Sequence, residues 1–145
     1  MTALAYRLAA EPDLGFVFDS WINSYRDAHA AGMIAYEDWA AVMRQAIERV
    51  LARDGCELYV AHHPGEDDGK TDLYGWAALE GQLVHYVYVK RPFRRLGIAR
   101  GLLGAGKVQP RFSYTCKTII VSQLREAMPG ARWTPLTARK PRKTP

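Results

Sequence analysis

Lys90, Arg91, Arg94 and Arg95 put four cations within six residues, directly after an apolar run ending at Val89 and just before Gly97 and Ala99. Like charges repel, so the cluster is favourable where an anion lies among them. A helix predicted to begin near Ile98 would add the unpaired N–H groups and partial positive charge of a helix start. Gly97 lets the backbone approach a ligand closely because it has no Cβ, and Ala99 is the next-smallest choice. Arg94 and Arg95 carry forked donors that match phosphate oxygens. Residues 90–100 therefore predict a phosphate site, set against the plainer reading of a solvated basic turn.

A second stretch competes for the same chemistry. Gly101 to Lys107, GLLGAGK, has the G-x-x-x-x-G-K spacing of a nucleotide-binding loop. Val108 stands where a Ser or Thr would hold Mg²⁺, and a helix is predicted before the motif where a strand should be. The stretch reads instead as a glycine-rich, close-packed helix and its end. His62 and His63, beside Pro64 and Gly65, read as loop surface; companion metal ligands at workable spacing are missing, and no metal is expected. Cys56 and Cys116 belong to no Cys-x-x-Cys pair and are expected to be reduced thiols.

Periodicity supplies the elements that position these groups. Leu4 to Leu8 alternates as a first strand, and Glu11-Pro12-Asp13 suits a helix start. Leu14, Val17, Phe18, Trp21, Ile22 and Tyr25 repeat at helical spacing. A second helix is predicted from about Tyr36 to Arg53, with Trp39, Val42, Met43, Ala46, Ile47, Val50 and Leu51 on one face and Gly55 stopping it. Strands follow at residues 57–61, 73–79 and 83–89, the last two joined by a tight reversal at Glu80-Gly81-Gln82. On an ideal strand His85 shares a face with Val87 and Val89, while Tyr86 and Tyr88 share the other. A strand at residues 112–116 and a helix at 119–128 complete the order. The final WTPLTARKPRKTP has three prolines and a basic end, so no compact element is expected there.

The bulk properties bound the reading. A chain of 145 residues with 48% hydrophobic and 11% aromatic content is expected to fold as one domain, assigned to residues 1–136, with a basic tail at 137–145. No apolar run is long enough to span a membrane, and the N-terminus lacks the pattern of a signal peptide, so the expected compartment is the cytoplasm. Charge divides sharply. Residues 1–89 hold 6 Lys/Arg and 14 Asp/Glu, a formal −8, and residues 90–145 hold 14 Lys/Arg and one acid, a formal +13. The second part should attract a polyanion: a phosphorylated cofactor, a nucleic acid, or both.

With these neighbours, Val89 to Ala99 resembles motif A of the GNAT superfamily of acyl-CoA N-acyltransferases, Arg/Gln-x-x-Gly-x-Gly/Ala after a strand ending in Val. Arg94, Gly97 and Ala99 fall on the motif positions, and Pro92 sits one place later than the proline common in the family. The order of elements over residues 4–128 is similar too. The resemblance implies an α/β (α+β) fold, a mixed and mostly antiparallel central sheet flanked by helices. The family normally finishes with two more strands, where this chain has ARWTPLTARKPRKTP, so a shortened C-terminal part is expected. Small stand-alone members encoded by bacteriophages are similar in size and build, which would place the protein in the host cytoplasm.

The resemblance also implies roles. Val87, Tyr88 and Val89 would offer strand-edge backbone groups to the pantetheine arm of acetyl-CoA, and the N–H near Val89 would polarise the thioester carbonyl. Arg94, Arg95, Leu96, Gly97, Ile98, Ala99 and Arg100 would cradle its pyrophosphate. A primary amine, of a small molecule or a macromolecule, would attack in a cleft between strands 83–89 and 112–116. His85 and Glu80 are the candidate bases and Tyr114 the preferred acid. Tyr25, Arg26 and His29 would border the acceptor. Two other readings stay open. One is a nucleic-acid-binding or nucleobase-modifying protein, since four of the last seven residues are cations. The other is a non-catalytic GNAT-like interaction module, monomeric or completed as a homodimer by edge pairing.

Overall fold

The computed structural model describes residues 4–28, 35–64, 72–116 and 119–134. Strand β1 (Ala5–Leu8) turns at Glu11–Asp13 into helix α1 (Leu14–Ala28). Asp13 makes that turn: its carboxylate accepts from the Ala10 N–H at 2.7 Å and from the Arg7 guanidinium at 2.6 and 3.2 Å. Helix α2 (Tyr36–Leu51) follows, then the meander β2 (Cys56–His62), β3 (Leu73–Glu80) and β4 (Leu83–Val89). A short 3-10 turn at Arg91–Phe93 precedes α3 (Ile98–Ala105). Strand β5 (Ser113–Tyr114), helix α4 (Ile119–Ala127) and strand β6 (Arg132–Trp133) complete the described elements.

The six strands form one sheet in chain order, β1 to β6. Pairing is antiparallel from β1 to β4 and parallel from β4 to β5 and from β5 to β6. Alternation along each strand divides the core between two faces. Trp76 and Ala78 of β3 meet α1 and α2 through Val17, Trp21, Met43 and Ile47. Ala77 and Leu79 meet α3 and α4 through Leu102, Leu103, Ile120 and Leu124. Trp76 is fully buried, and its indole N–H donates to Ser20 Oγ at 2.7 Å, so its polar atom is satisfied. Leu102 and Leu103 lie inside α3 and are buried, so GLLGAGK is helix and core, as its sequence predicts.

Three expectations change. The strand expected at residues 112–116 forms only at Ser113–Tyr114. A short strand stands at Arg132–Trp133, where no compact element was expected; Arg132 and Thr134 donate backbone N–H groups to the Phe112 and Tyr114 carbonyls. His85 does not share a face with Val87 and Val89. Adjacent residues Ala78 and Leu79 of β3 face Tyr86 and Val84, two apart in β4, so His85 is the extra residue of a bulge. The bulge leaves Val84 and Val87 on the α3–α4 face, Tyr86 on the α1–α2 face, and turns His85 toward the α1–α2 side. The expected tail at 137–145 and His29 lie outside the described residues.

Candidate cofactor cradle and acceptor cavity

Strand β5 accompanies β4 for only part of its length. Leu83 pairs with Ser113 and Val84 with Tyr114. Thr115 then donates its N–H to the Val84 carbonyl at 3.0 Å and its hydroxyl to the His85 carbonyl at 3.1 Å. Gln82 holds the start of this pairing, bonding the Lys107 carbonyl at 3.1 Å and the Gln109 N–H at 2.6 Å across the α3–β5 connection. Beyond His85 no described strand pairs with this side of Tyr86–Val89, and Tyr86, Val87 and Val89 are themselves buried. Lys90 N–H donates to Tyr74 of β3, so by alternation Tyr88 also spends its backbone on β3. Val87 and Val89 turn theirs to the side that no described strand pairs.

That edge runs into the basic loop. Arg94 Nε donates to the Val89 carbonyl at 3.0 Å, which folds the loop back over the strand end. Arg95 (φ 64°) and Gly97 (φ 85°) both adopt the left-handed region. Backbone N–H groups in such a loop turn toward a common concavity, a nest that suits anions. The first helical bond runs from Gly101 N–H to Gly97 C=O at 3.0 Å, so the N–H groups of Ile98, Ala99 and Arg100 precede the α3 ladder. A cavity of about 260 Å³ opens at this place, lined by Val89, Phe93, Arg94, Arg95, Gly97, Ile98, Ala99 and Arg100. Ile120, Gln123 and Leu124 of α4 form its far wall. Of the expected residues, Val89, Arg94, Arg95, Gly97, Ile98, Ala99 and Arg100 line this cavity; Val87 is buried in β4, Tyr88 is stacked on Trp76 and Leu96 is half exposed, and none of these three lines it. Arg95 reaches Glu126 at 3.6 Å, but both are well exposed and the pair fixes little. Lys90 lies over the Phe16 ring at 5.1 Å, away from the cavity lining.

The candidate acid–base groups separate across the sheet. On the α1–α2 side, His85 Nε2 lies 3.0 Å from Glu80 Oε1, and the same oxygen accepts from Arg53 Nε at 2.7 Å. His85 and Glu80 are both buried. Burial alone would raise the Glu80 carboxyl, but the hydrogen bonds and charge of Arg53 and His85 hold it below its ordinary value. An ionised Glu80 only accepts, so His85 Nε2 carries a proton, and in the neutral tautomer the lone pair is on Nδ1. Tyr114 lies on the other face, its ring 6.3 Å from Phe112 and under the Arg125 guanidinium at 5.9 Å.

Tyr25 stacks on Trp39 and lines a second cavity with His85, while Arg26 lies over Tyr36 at 5.3 Å. The sequence reading missed the α4 wall of the first cavity, the α2 wall of the second and the Arg53 partner of Glu80. Trp21, Met43, Ile47 and Val50 showed only helical periodicity, which a core face and a cavity wall share. Among the described residues no group of three or more His, Cys, Asp or Glu is placed to hold a metal ion, and no helix is long and apolar enough to cross a membrane.

No protein-family model matches the chain, and no curated protein matches it significantly. Solved structures do match. The apo form of YjaB from Escherichia coli superposes with a TM-score of 0.55 at 16% identity, covering 87% of this chain and 77% of that one. AAC(6')-Iy, in complex with the bisubstrate analogue CoA-S-monomethyl-acetylneamine, gives 0.51 at 11% identity over 99% of this chain and 95% of its own. A GCN5-related N-acetyltransferase from Rhodopseudomonas palustris gives 0.51 at 18% identity over 74% of this chain; the chain spans 65% of that neighbour's length. Identities this low tie the proteins together by fold.

Proposed function

From the GNAT fold that this chain has, we propose that it is an acyl-CoA-dependent N-acyltransferase that moves an acetyl group to a primary amine. The observation that carries the reading is the join between the side of β4 that no described strand pairs and the anion cradle at the start of α3. The cradle fits a pyrophosphate: it offers consecutive N–H donors, arginines at its rim and, at Gly97, open space where a Cβ would stand. When bound, acetyl-CoA supplies an acyl thioester whose C–S bond breaks as the amine nitrogen bonds the acyl carbon, the electron pair leaving on sulfur.

The chain's own residues do the rest. Arg94, Arg95, Arg100 and the N–H groups of Gly97 to Arg100 bind the pyrophosphate, and Val87 with Val89 holds the arm along the strand. The Val87 N–H, nearer His85 on the same side of the strand, donates to the thioester oxygen, where charge develops. His85, oriented by Glu80, takes the amine proton at Nδ1; Arg53 keeps Glu80 ionised. Tyr114 returns a proton to the departing sulfur.

Calorimetry with acetyl-CoA, on wild type and Gly97→Glu, tests the reading. Wild type is expected to bind in the micromolar range, and Gly97→Glu, which sets a carboxylate in the cradle, to lose binding. If neither binds at high micromolar concentration, or both bind alike, the cradle is not a cofactor site and the function falls with it.

A further inference from the structure

On the α1–α2 side of the sheet a cavity of about 210 Å³ opens beside the parting of β4 and β5. Its wall is Trp21 and Tyr25 of α1, Met43, Ile47 and Val50 of α2, and His85 of the bulge. Ala46 leaves a gap in the α2 wall, and Thr115 and Cys116 close the β5 end. None of these side chains carries a fixed charge. Glu80, the carboxylate that touches His85, sits behind it and is matched by Arg53 at 2.7 Å. Burial pushes the Tyr25 phenol and the Cys116 thiol up, so both stay neutral near pH 7.

These walls select among amines. A polycation would lose hydration in the cavity and find no anion to replace it. A single amine on an apolar body gains from burial, and the low-polarity surroundings favour its neutral, nucleophilic form. Size narrows the body further. An engineered apolar cavity of about 150 Å³ holds a benzene molecule, so this one takes a ring with a short arm.

We propose that the acceptor is a primary amine on a compact apolar body, about one aromatic ring with a short alkyl arm, seated among Trp21, Tyr25, Met43 and Ile47 with its nitrogen toward His85. The inference rests on the acyltransferase reading and names its substrate class. The amine nitrogen bonds the acyl carbon as the C–S bond breaks; the amine proton passes to His85 and thence through solvent, and the sulfur leaves as a thiolate that is protonated to the thiol.

The test measures thiol release from acetyl-CoA with phenethylamine, benzylamine, ethylamine and spermidine, and separately the binding of phenethylamine by calorimetry. The expected order of kcat/KM is phenethylamine, benzylamine, ethylamine, spermidine, falling about tenfold or more for each methylene-sized loss of apolar body. Ala46→Phe, which fills the gap in the α2 wall, is expected to raise KM for phenethylamine at least tenfold and leave acetyl-CoA affinity unchanged. If Ala46→Phe does not fold, the wild-type ranking and the binding measurement decide. A preference for spermidine, or a flat ranking with intact acetyl-CoA binding, overturns this inference and spares the acyltransferase reading. Absence of acetyl-CoA binding overturns both.

Discussion

Three glycines in and around α3 give a matched test of the cradle geometry. Gly97 and Gly104 both have open space where a Cβ would go, but Gly97 has φ 85° and Gly104 has no such conformation. A left-handed alanine costs about 1–2 kcal/mol, of which about 0.4–1 is returned by the stiffer unfolded chain. Gly97→Ala should therefore destabilise the fold by about 1 kcal/mol. Gly104→Ala, inside the helix, should stabilise it by about 0.8–1 kcal/mol. The two variants thus differ by about 2 kcal/mol, which in urea separates their midpoints by about 1 M for a small domain. Gly101→Ala has a different cost, because its Cβ would press on the Tyr6 ring, with Tyr6 Cε1 at 2.9 Å and the phenol end closer still. Overpacking of that kind costs about 1–3 kcal/mol and should be relieved in a Tyr6→Ala background, a coupling that a double-mutant cycle reads directly. Urea unfolding followed by circular dichroism measures all of these, and calorimetry should show Gly97→Ala weakening acetyl-CoA about tenfold while Gly104→Ala leaves it unchanged. If Gly97→Ala and Gly104→Ala shift stability in the same direction, the loop does not hold the left-handed geometry and the nest argument fails.

Glu80 and Asp13 both titrate below their ordinary values in the folded protein, so each contributes stability that is full above the unfolded carboxyl value, about 4, and lost as pH falls through the lower folded value. The urea midpoint should fall as pH drops from about 5 to 3, and fall less in Glu80→Gln; equal slopes would refute the assignment. Glu80→Ala should cost about 3 kcal/mol, at the low end for a broken buried pair because Arg53 reaches solvent. His85→Ala should lower kcat with the preferred amine about 10²–10⁴-fold while acetyl-CoA affinity holds; unchanged turnover removes His85 as base. Tyr114→Phe should slow kcat at least tenfold with little change in stability, and wild-type turnover in this variant would reassign the proton that sulfur receives.

The basic loop and the helix start after it were legible because their signals are local. Arg94, Gly97 and Ala99 act through one turn and one helix start, and spacing along the chain describes both. The helices and the β2–β4 meander were legible because periods near 3.6 and 2 are written residue by residue. His85 was placed on the wrong face because alternation assumes an unbroken strand, and a bulge becomes visible only against the register of its neighbour, β3. Arg53 lies in the turn after α2 and Glu80 ends β3, so their ion pair has no sequence signature. Strands β5 and β6 were misjudged for a related reason. Two-residue strands carry no period, and their pairing is fixed by the side chain of Gln82 and by the Phe112 and Tyr114 carbonyls.

The short β5 makes β4 two kinds of strand in one. Its first residues pair on both sides, and Tyr86 to Val89 form a frontier, rich in the Val and Tyr that favour pairing and met by no described strand on one side. An unpaired edge of this composition, once uncovered, is a template for another chain's strand. The cations that follow, Lys90 and Arg91, then act as gatekeepers, since two copies brought edge to edge would bring their charges together. Ligand and charge would thus protect the same edge by turns. On the proposed function a pantetheine arm would fill the frontier when present, and like-charge repulsion would guard it when absent. Light scattering of Lys90→Gln/Arg91→Gln with and without CoA reads the division, which predicts self-association in the free protein alone.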